Sequence, residues 1–490
     1  MYIKEEVSIM SNTTQALSRI EAILDDSSFV EIGARVTARA TDFNMQEKKA
    51  PSDGVITGYG VVNGNLVYVY SQDASVLGGT IGEMHAKKIA SLYEKAMKMG
   101  APVIGLIDCA GLRLQEATDA LNGFGEIYKN MSLASGIIPQ ITAVYGECGG
   151  GLAVLAELSD FIFVEEKKAK LFVNSPNALD GNYESKLDTS SAKFMAEAGV
   201  VDFVGDEETI ANGVRQLVSM LPSNNAEGTV CTDNQDDLNR VCQDMEAEIA
   251  DPALALTDIS DDGVFVEAKA EYAKEMVTGF ILVDGVTVGA VANRTALYDE
   301  NGEKAEEFAP VLTTAGAYKA AEFVTFCNAF EIPVLTLTNV KGFEATVKSE
   351  RTIAKAAAKL VYAFSNADVP KVNIITGEAY GSAYVAMNSK SIGADMVYAW
   401  PQASIGMMDA SLAAKIMYAD DIAASKDVTS TINEKAAEYA ALQSSVDQAA
   451  ARGYVDTIIN PEDTRKYVVA AFEMLFDKRE VRADKKHGTV

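Results

Sequence analysis

Histidine is almost missing from this chain: its 490 residues include two, His85 and His487. A Ser-His-Asp relay or an imidazole-rich zinc centre has almost nothing to be built from. Cationic residues are also short, 42 Lys and Arg against 70 Asp and Glu, for a formal net charge of −28. Such a surface repels a nucleic-acid backbone, so no nucleic-acid partner is expected. The five cysteines, Cys109, Cys148, Cys231, Cys242 and Cys327, show no CxxC spacing. An odd, scattered set fits a reduced compartment, and the cytoplasm is the expectation. The apolar stretch 279–292 is cut by Asp284 and glycines, short of the roughly 18 uninterrupted residues of a membrane span. Residues 1–12 carry Lys4, Glu5 and Glu6 and read as no signal peptide. Phosphate-binding fingerprints for nicotinamide or ATP chemistry are missing too, and no metal site is expected.

What is present is an ordinary globular composition, 48% hydrophobic and 23% charged, in a chain long enough for two cores. It repeats itself. Thr57, Gly58 and Gly64 recur as Thr278, Gly279 and Gly285, each 221 residues on. Pro102, Gly111, Pro139, Gly146, Glu147 and Gly150 recur as Pro333, Gly342, Pro370, Gly377, Glu378 and Gly381, each 231 on. An insertion of ten residues explains the step, and the polar stretch 298–307 reads as the inserted loop. Each copy alternates strand-like runs (66–70, 103–108 and 140–145; 334–339 and 371–376) with helical ones (82–99; 351–365). The expectation is therefore α/β, two tandem domains from an internal duplication. The boundaries fall at 1–225 and 263–490, with the acidic segment 226–262 as a linker or covering piece.

In both copies a buried strand runs through a glycine turn into an Ala-rich helix: ITAVYGECGGGLAVLAEL and VNIITGEAYGSAYVAMNSK. Glycines there let the backbone approach a ligand, and the unpaired amides of a first helical turn can face an anion. Gly111 and Gly342, at the ends of the preceding strands, offer a second set of amides. An isolated triple glycine is more often a tight turn, but recurrence at one place in both copies favours an oxyanion-binding role. His85 reads as a helix-face residue of the run 84–99 rather than a base. Lys98 in the AMKM sequence ends that helix before Gly100, so it is not read as a biotinylated lysine.

These residues carry a resemblance. TDFNM, SDGVITGYG, SQDASVLGGTIGEMHAKKI, GAPVIGLIDCAGLRLQE, ASGIIPQITAVYGECGGG and AYGSAYVAMNSKSIGADMVYAWP, over almost the whole chain, resemble the biotin-dependent acyl-CoA carboxyltransferases. That is the family of propionyl-CoA carboxylase β and methylmalonyl-CoA decarboxylase α subunits. The resemblance implies two crotonase-like domains, the N-terminal one on the coenzyme A side and the C-terminal one on the biotin side. The implied reaction transfers CO2 between carboxybiotin on a carrier protein and a short-chain acyl-CoA, propionyl-CoA/methylmalonyl-CoA first. A thioester enolate would be held by backbone amides. The implied partners are a biotin carboxyl carrier protein, a biotin carboxylase or a membrane decarboxylase subunit, and further copies of the chain in a hexamer. Attachment to a membrane complex would come through those partners.

The oxyanion positions implied are Gly150 and Gly151 in the first copy and Ser382 and Ala383 in the second. Gly111, Leu112 and Arg113 are implied for coenzyme A, and Gly342, Phe343, Gly381 and Val385 for the biotin and acyl pocket. Arg113 has two readings, a bidentate phosphate ligand or a partly exposed partner of Glu116. Val385 is either a selector of short apolar acyl groups or ordinary core. Lys341, Ser382 and Leu112 replace the proline, glycine and alanine usual at their positions. Two rivals stay open: an acyl-CoA hydratase or isomerase using Glu116 and Glu147, and a non-catalytic CoA-binding scaffold. The tail 485–490 is expected at a subunit interface.

Overall fold

The computed structural model describes residues 14–39, 43–48, 50–228, 230–299 and 301–480. The expectations placed on residues 1–12 and on the tail 485–490, His487 included, lie outside them. The chain divides into two compact units, 1–227 and 228–490.

The first unit is built on an eight-stranded sheet. In spatial order come Val30–Ile32, Val55–Val62, Asn65–Gln72, Val103–Cys109, Gln140–Gly149, Phe161–Glu165 and Phe203–Gly205, with Lys170–Phe172 pairing the outer end of Gln140–Gly149. The first two pairings are antiparallel and the rest parallel. Strand Val103–Cys109 is buried at every position but Asp108, as a parallel strand covered on both faces must be. The second unit repeats this order with Phe265–Ala268, Met276–Val283, Val286–Asn293, Val334–Val340, Lys371–Tyr380, Met396–Ala399 and Thr457–Ile458. Ser404–Gly406 pairs the outer end of Lys371–Tyr380. The α/β expectation holds, and the tandem crotonase-like reading is consistent with two such sheets.

Helix Glu83–Met99 packs on the first sheet and Ala117–Ala134 on that helix; Thr314–Ala329 and Ile353–Asn366 repeat the arrangement in the second. Helix Glu83–Met99 stops at Gly100, left-handed at φ 62°, whose N–H bonds back to Ala96. AMKM is thus the last turn of a packed helix. Within 226–262, Cys242, Met245, Leu256 and Ile259 are buried in the core of the second unit. The stretch 298–307 is not a plain loop. Ala296–Tyr298 and Lys304–Glu307 pair antiparallel, the latter wholly exposed, and Ala296 and Tyr298 also donate their N–H groups to Ala250 O and Asp251 Oδ2.

Candidate active site

Past strand Val103–Cys109 a run of backbone hydrogen bonds holds the chain. Ala110 N–H donates to Gly78 O (3.0 Å), Ile81 N–H to Gly111 O (2.9 Å) and Arg113 N–H to Ile81 O (2.9 Å). Ile81 and Leu112 form a parallel bridge, which turns the Leu112 N–H away from Ile81. Gly111 has φ 108°, and a Cβ there would meet nothing within 4 Å. Its N–H lies 3.3 Å from Cys109 Sγ, a weak acceptor.

The neighbouring strand Gln140–Gly149, with Cys148 in register with Cys109, turns at Gly150 into helix Gly151–Glu157. Gly150 has φ 62° and ψ −124°, a conformation closed to residues with a Cβ, and the space in front of it is open. Its own N–H donates to Phe172 O at 2.8 Å. The sheet thus engages the Gly150 amide in this structure. The amides left without an intrahelical partner are those of exposed Gly151 and of Leu152 behind it. Tyr128 Oη donates to Gly151 O at 2.6 Å and steadies the turn.

Arg113 does not face a ligand. It is 2% exposed. Nη1 donates to Asp53 Oδ1 (2.5 Å) and Glu116 Oε1 (2.8 Å), Nη2 to Thr80 O (2.6 Å), and Nε to Thr80 Oγ1 (3.3 Å). Of its two readings, the pairing with Glu116 is the one present here, buried rather than partly exposed. Glu116 is equally engaged, accepting the Glu83 N–H at 2.6 Å, so it is no free acid for a hydratase. Glu147 is exposed. His85 is fully buried: its N–H donates to Asp53 Oδ2, Nδ1 lies 2.9 Å from Asp53 O, and Nε2 lies 3.2 Å from Gln72 Nε2. A carbonyl can only accept, so Nδ1 holds the proton and Nε2 accepts from Gln72. Burial drives its pKa down to about 3 and keeps the ring neutral.

The second unit reproduces the backbone scheme. Lys341 N–H donates to Pro310 O (2.8 Å), Leu312 N–H to Gly342 O (2.9 Å) and Glu344 N–H to Leu312 O (3.0 Å), with Phe343 half-buried opposite Leu312. Strand Lys371–Tyr380 turns at Gly381, φ 62°, into helix Gly381–Ala386. Ser382 is exposed, Ala383 buried, and Val385 half-buried with its carbonyl accepting from Ser389 Oγ at 3.0 Å. Gly342, like Gly111 and Gly150, fronts open space, whereas a Cβ on Gly381 would lie 3.2 Å from Met407 O.

Sequence reasoning missed the residues that hold these turns. Gln72 Oε1 accepts the Asp108 N–H, as Asn293 Oδ1 accepts the Asn339 N–H. Lys88 and Lys319, 231 residues apart, both bury an ammonium among backbone carbonyls, at Ser52 and Val55 and at Lys269 and Tyr272. Burial lowers their pKa values to about 8 and about 7. The repeat spacing itself was the signal that could have found them.

A family profile described as "Carboxyl transferase domain" matches residues 11–490. The methylmalonyl-CoA decarboxylase subunit alpha of Propionigenium modestum is 39% identical over 98% of this chain and 93% of its own. The propionyl-CoA carboxylase beta chain of Roseobacter denitrificans is 38% identical over 97% and 93%. A solved transcarboxylase 12S structure, a hexamer with hydrolysed methylmalonyl-coenzyme A bound, superposes with a TM-score of 0.89 at 35% identity, covering 97% of this chain and 92% of that one. Duplicated sheets, duplicated glycine turns and full-length relatives agree: the chain belongs to the carboxyl transferase domain family, the biotin-dependent acyl-CoA carboxyltransferases.

Proposed function

We propose that the chain is the carboxyltransferase subunit that moves a carboxyl group between methylmalonyl-CoA/propionyl-CoA and biotin borne on a separate carrier protein. The observation that carries it is the paired turn at Gly150 and Gly381, each bringing strand-end glycines and a helix start to one place in its unit. Propionyl-CoA is methylmalonyl-CoA less CO2, so the names of the two relatives describe the two sides of one exchange. That supports this acyl pair over malonyl-CoA.

The first unit would take the thioester. Removing a proton or CO2 from the α-carbon places negative charge on the thioester oxygen. The amides of Gly111, Leu112 and Gly151 are the groups available to hold it, beside the open faces of Gly111 and Gly150. Backbone donors need no titrating side chain, which fits a chain whose one described histidine is locked neutral in the core. The second unit would take biotin: the amides of Ser382 and Ala383 start a helix beside the open face of Gly342, and such donors suit a ureido oxygen. When bound, biotin supplies the carrier for the CO2. Ser382 keeps the amide that a glycine would offer, and its exposed side chain does not fill the turn.

The direction of transfer would be set by partners: a biotin carboxylase for carboxylation, or a membrane decarboxylase subunit for the reverse. A homohexamer like that of the 12S relative is proposed for this chain as well. Among the described residues no helix is long and apolar enough to cross a membrane, so membrane attachment would rest on a partner. The test is CO2 release from methylmalonyl-CoA and malonyl-CoA by the purified protein, with and without free biotin. Biotin-dependent release, faster with methylmalonyl-CoA, is expected. A folded protein that binds CoA and releases no CO2 from either would overturn the reading.

A further inference from the structure

We propose that Arg113 is a positioning residue, clamping from behind the loop whose Gly111 and Leu112 amides face the thioester. The assignment rests on the acyl-CoA reading above, and three observations carry it.

One guanidinium ties its own loop, 110–117, to two other segments of the first unit. It reaches Asp53 in the turn 52–54, the backbone and hydroxyl of Thr80, and Glu116 within the loop, while the Arg113 backbone N–H completes the bridge to Ile81. Glu116 extends the clamp to the Glu83 N–H, and Asp53 to the His85 N–H. A displacement of the loop would break several of these bonds together.

The surroundings are shaped around it. A Cβ on Gly82 would lie 2.3 Å from Arg113 Nη1, so the residue before helix Glu83–Met99 gives up a capping side chain to admit the guanidinium. Asp53 has φ 51°. Ala117, next after Glu116, has φ 43° and ψ −116°, a region that side chains with a Cβ avoid and that persists only where neighbours over-determine it.

The other half of the molecule acts as an internal control. There, among the described residues, no ion pair reaches the backbone bridge Leu312–Phe343: Glu344 occupies the place of Arg113, and Thr313 that of Gly82, capping its helix in the ordinary way at Gly316, while this half's own buried triad, Arg294 between Asp251 and Glu267, bonds to the Lys274 carbonyl instead. The fold therefore does not need the clamp to make this bridge. Among the described residues a triad grips the bridge only in the half assigned to the thioester, which is what a demand for an aligned amide would produce.

The experiment uses the full chain with methylmalonyl-CoA and free biotin. Arg113→Lys is one variant. The other is Arg113→Met combined with Asp53→Asn and Glu116→Gln, which removes the cation with both anions and leaves no buried charge unpaired. The triple variant is expected to assemble like wild type, with kcat down about 100-fold, the scale of one misplaced oxyanion donor, and KM within threefold. Arg113→Lys should fall between the two. Hydrogen exchange should quicken over 110–117 and stay unchanged over 341–352. A folded triple variant with kcat within threefold of wild type overturns the proposal. So does a tenfold rise in KM at unchanged kcat, the mark of a lost phosphate contact. If wild type turns over no acyl-CoA, the proposed function fails by itself. Exchange then decides the clamp: unchanged rates over 110–117 overturn it and faster rates sustain it.

Discussion

The two glycine loops of this protein, 110–117 and 341–352, share their backbone bonds and almost none of their side-chain chemistry. The first is locked by a buried guanidinium between two carboxylates. The second is held by hydroxyls, Ser349 Oγ donating to Glu344 O at 2.7 Å and exchanging bonds with Thr346. The same divergence runs deeper. Asp160 Oδ2 accepts the Gln140 N–H as Asp395 Oδ2 accepts the Lys371 N–H, each at 2.8 Å. Asp395 has the Lys478 ammonium 2.9 Å away, while among the described residues no cation pairs with Asp160, and burial raises its pKa to about 7. Duplication preserved what backbone geometry demands and left the charges free to drift, so the two halves can present similar amides to different ligands.

The sharpest way to break this comparison is at the turns. Gly150→Val and Gly381→Val each force a β-branched residue to positive φ and should each lower biotin-dependent CO2 release by more than 100-fold. If the halves divide the ligands as proposed, only Gly150→Val should also abolish acyl-CoA binding in calorimetry. Unchanged turnover in either would remove that turn from the site.

A milder pair probes the shared scaffold. A Cβ on Gly146 would lie 2.1 Å from Asp108 Oδ1, and one on Gly377 2.6 Å from Asn339 Oδ1. Gly→Ala at each should cost about 1–3 kcal/mol by overpacking, more at Gly146, read from thermal unfolding.

Asp160 separates the halves by pH. Its carboxyl is protonated more readily folded than unfolded, where the ordinary value is 3.8. Between about pH 4 and 7 the native state therefore binds the extra proton, and stability falls as pH rises through that window. Asp160→Asn should gain on wild type from pH 5 to pH 8, whereas Asp395→Asn, which loses an ion pair, should not. A parallel pH dependence of the two variants would refute the distinction.

The smallest effect is expected at Ala117. Glycine there relieves the strained backbone, and Ala117→Gly should stabilise the first unit by about 1 kcal/mol in thermal unfolding.

Much of this was legible in the sequence. Apolar runs without alternation marked the central strands of both sheets, and Gly100 marked the end of helix Glu83–Met99. The constant spacing from Gly111 to Gly342 and from Gly150 to Gly381 located both turns. These signals are local or repeat along one dimension, and a chain cannot make a buried parallel strand or a left-handed turn without leaving them. Which polar groups meet was not legible. Arg113 finds Asp53 and Thr80 from 60 and 33 residues away, and Gly150 gives its amide to Phe172 in a strand that pairs only at the sheet's outer end. The sequence by itself determined a duplicated α/β chain with glycine turns at matching places. Only the tertiary structure decided that Arg113 points inward and that the Gly150 amide bonds to Phe172, because hydrogen bonds between distant segments depend on packing and leave no periodic trace.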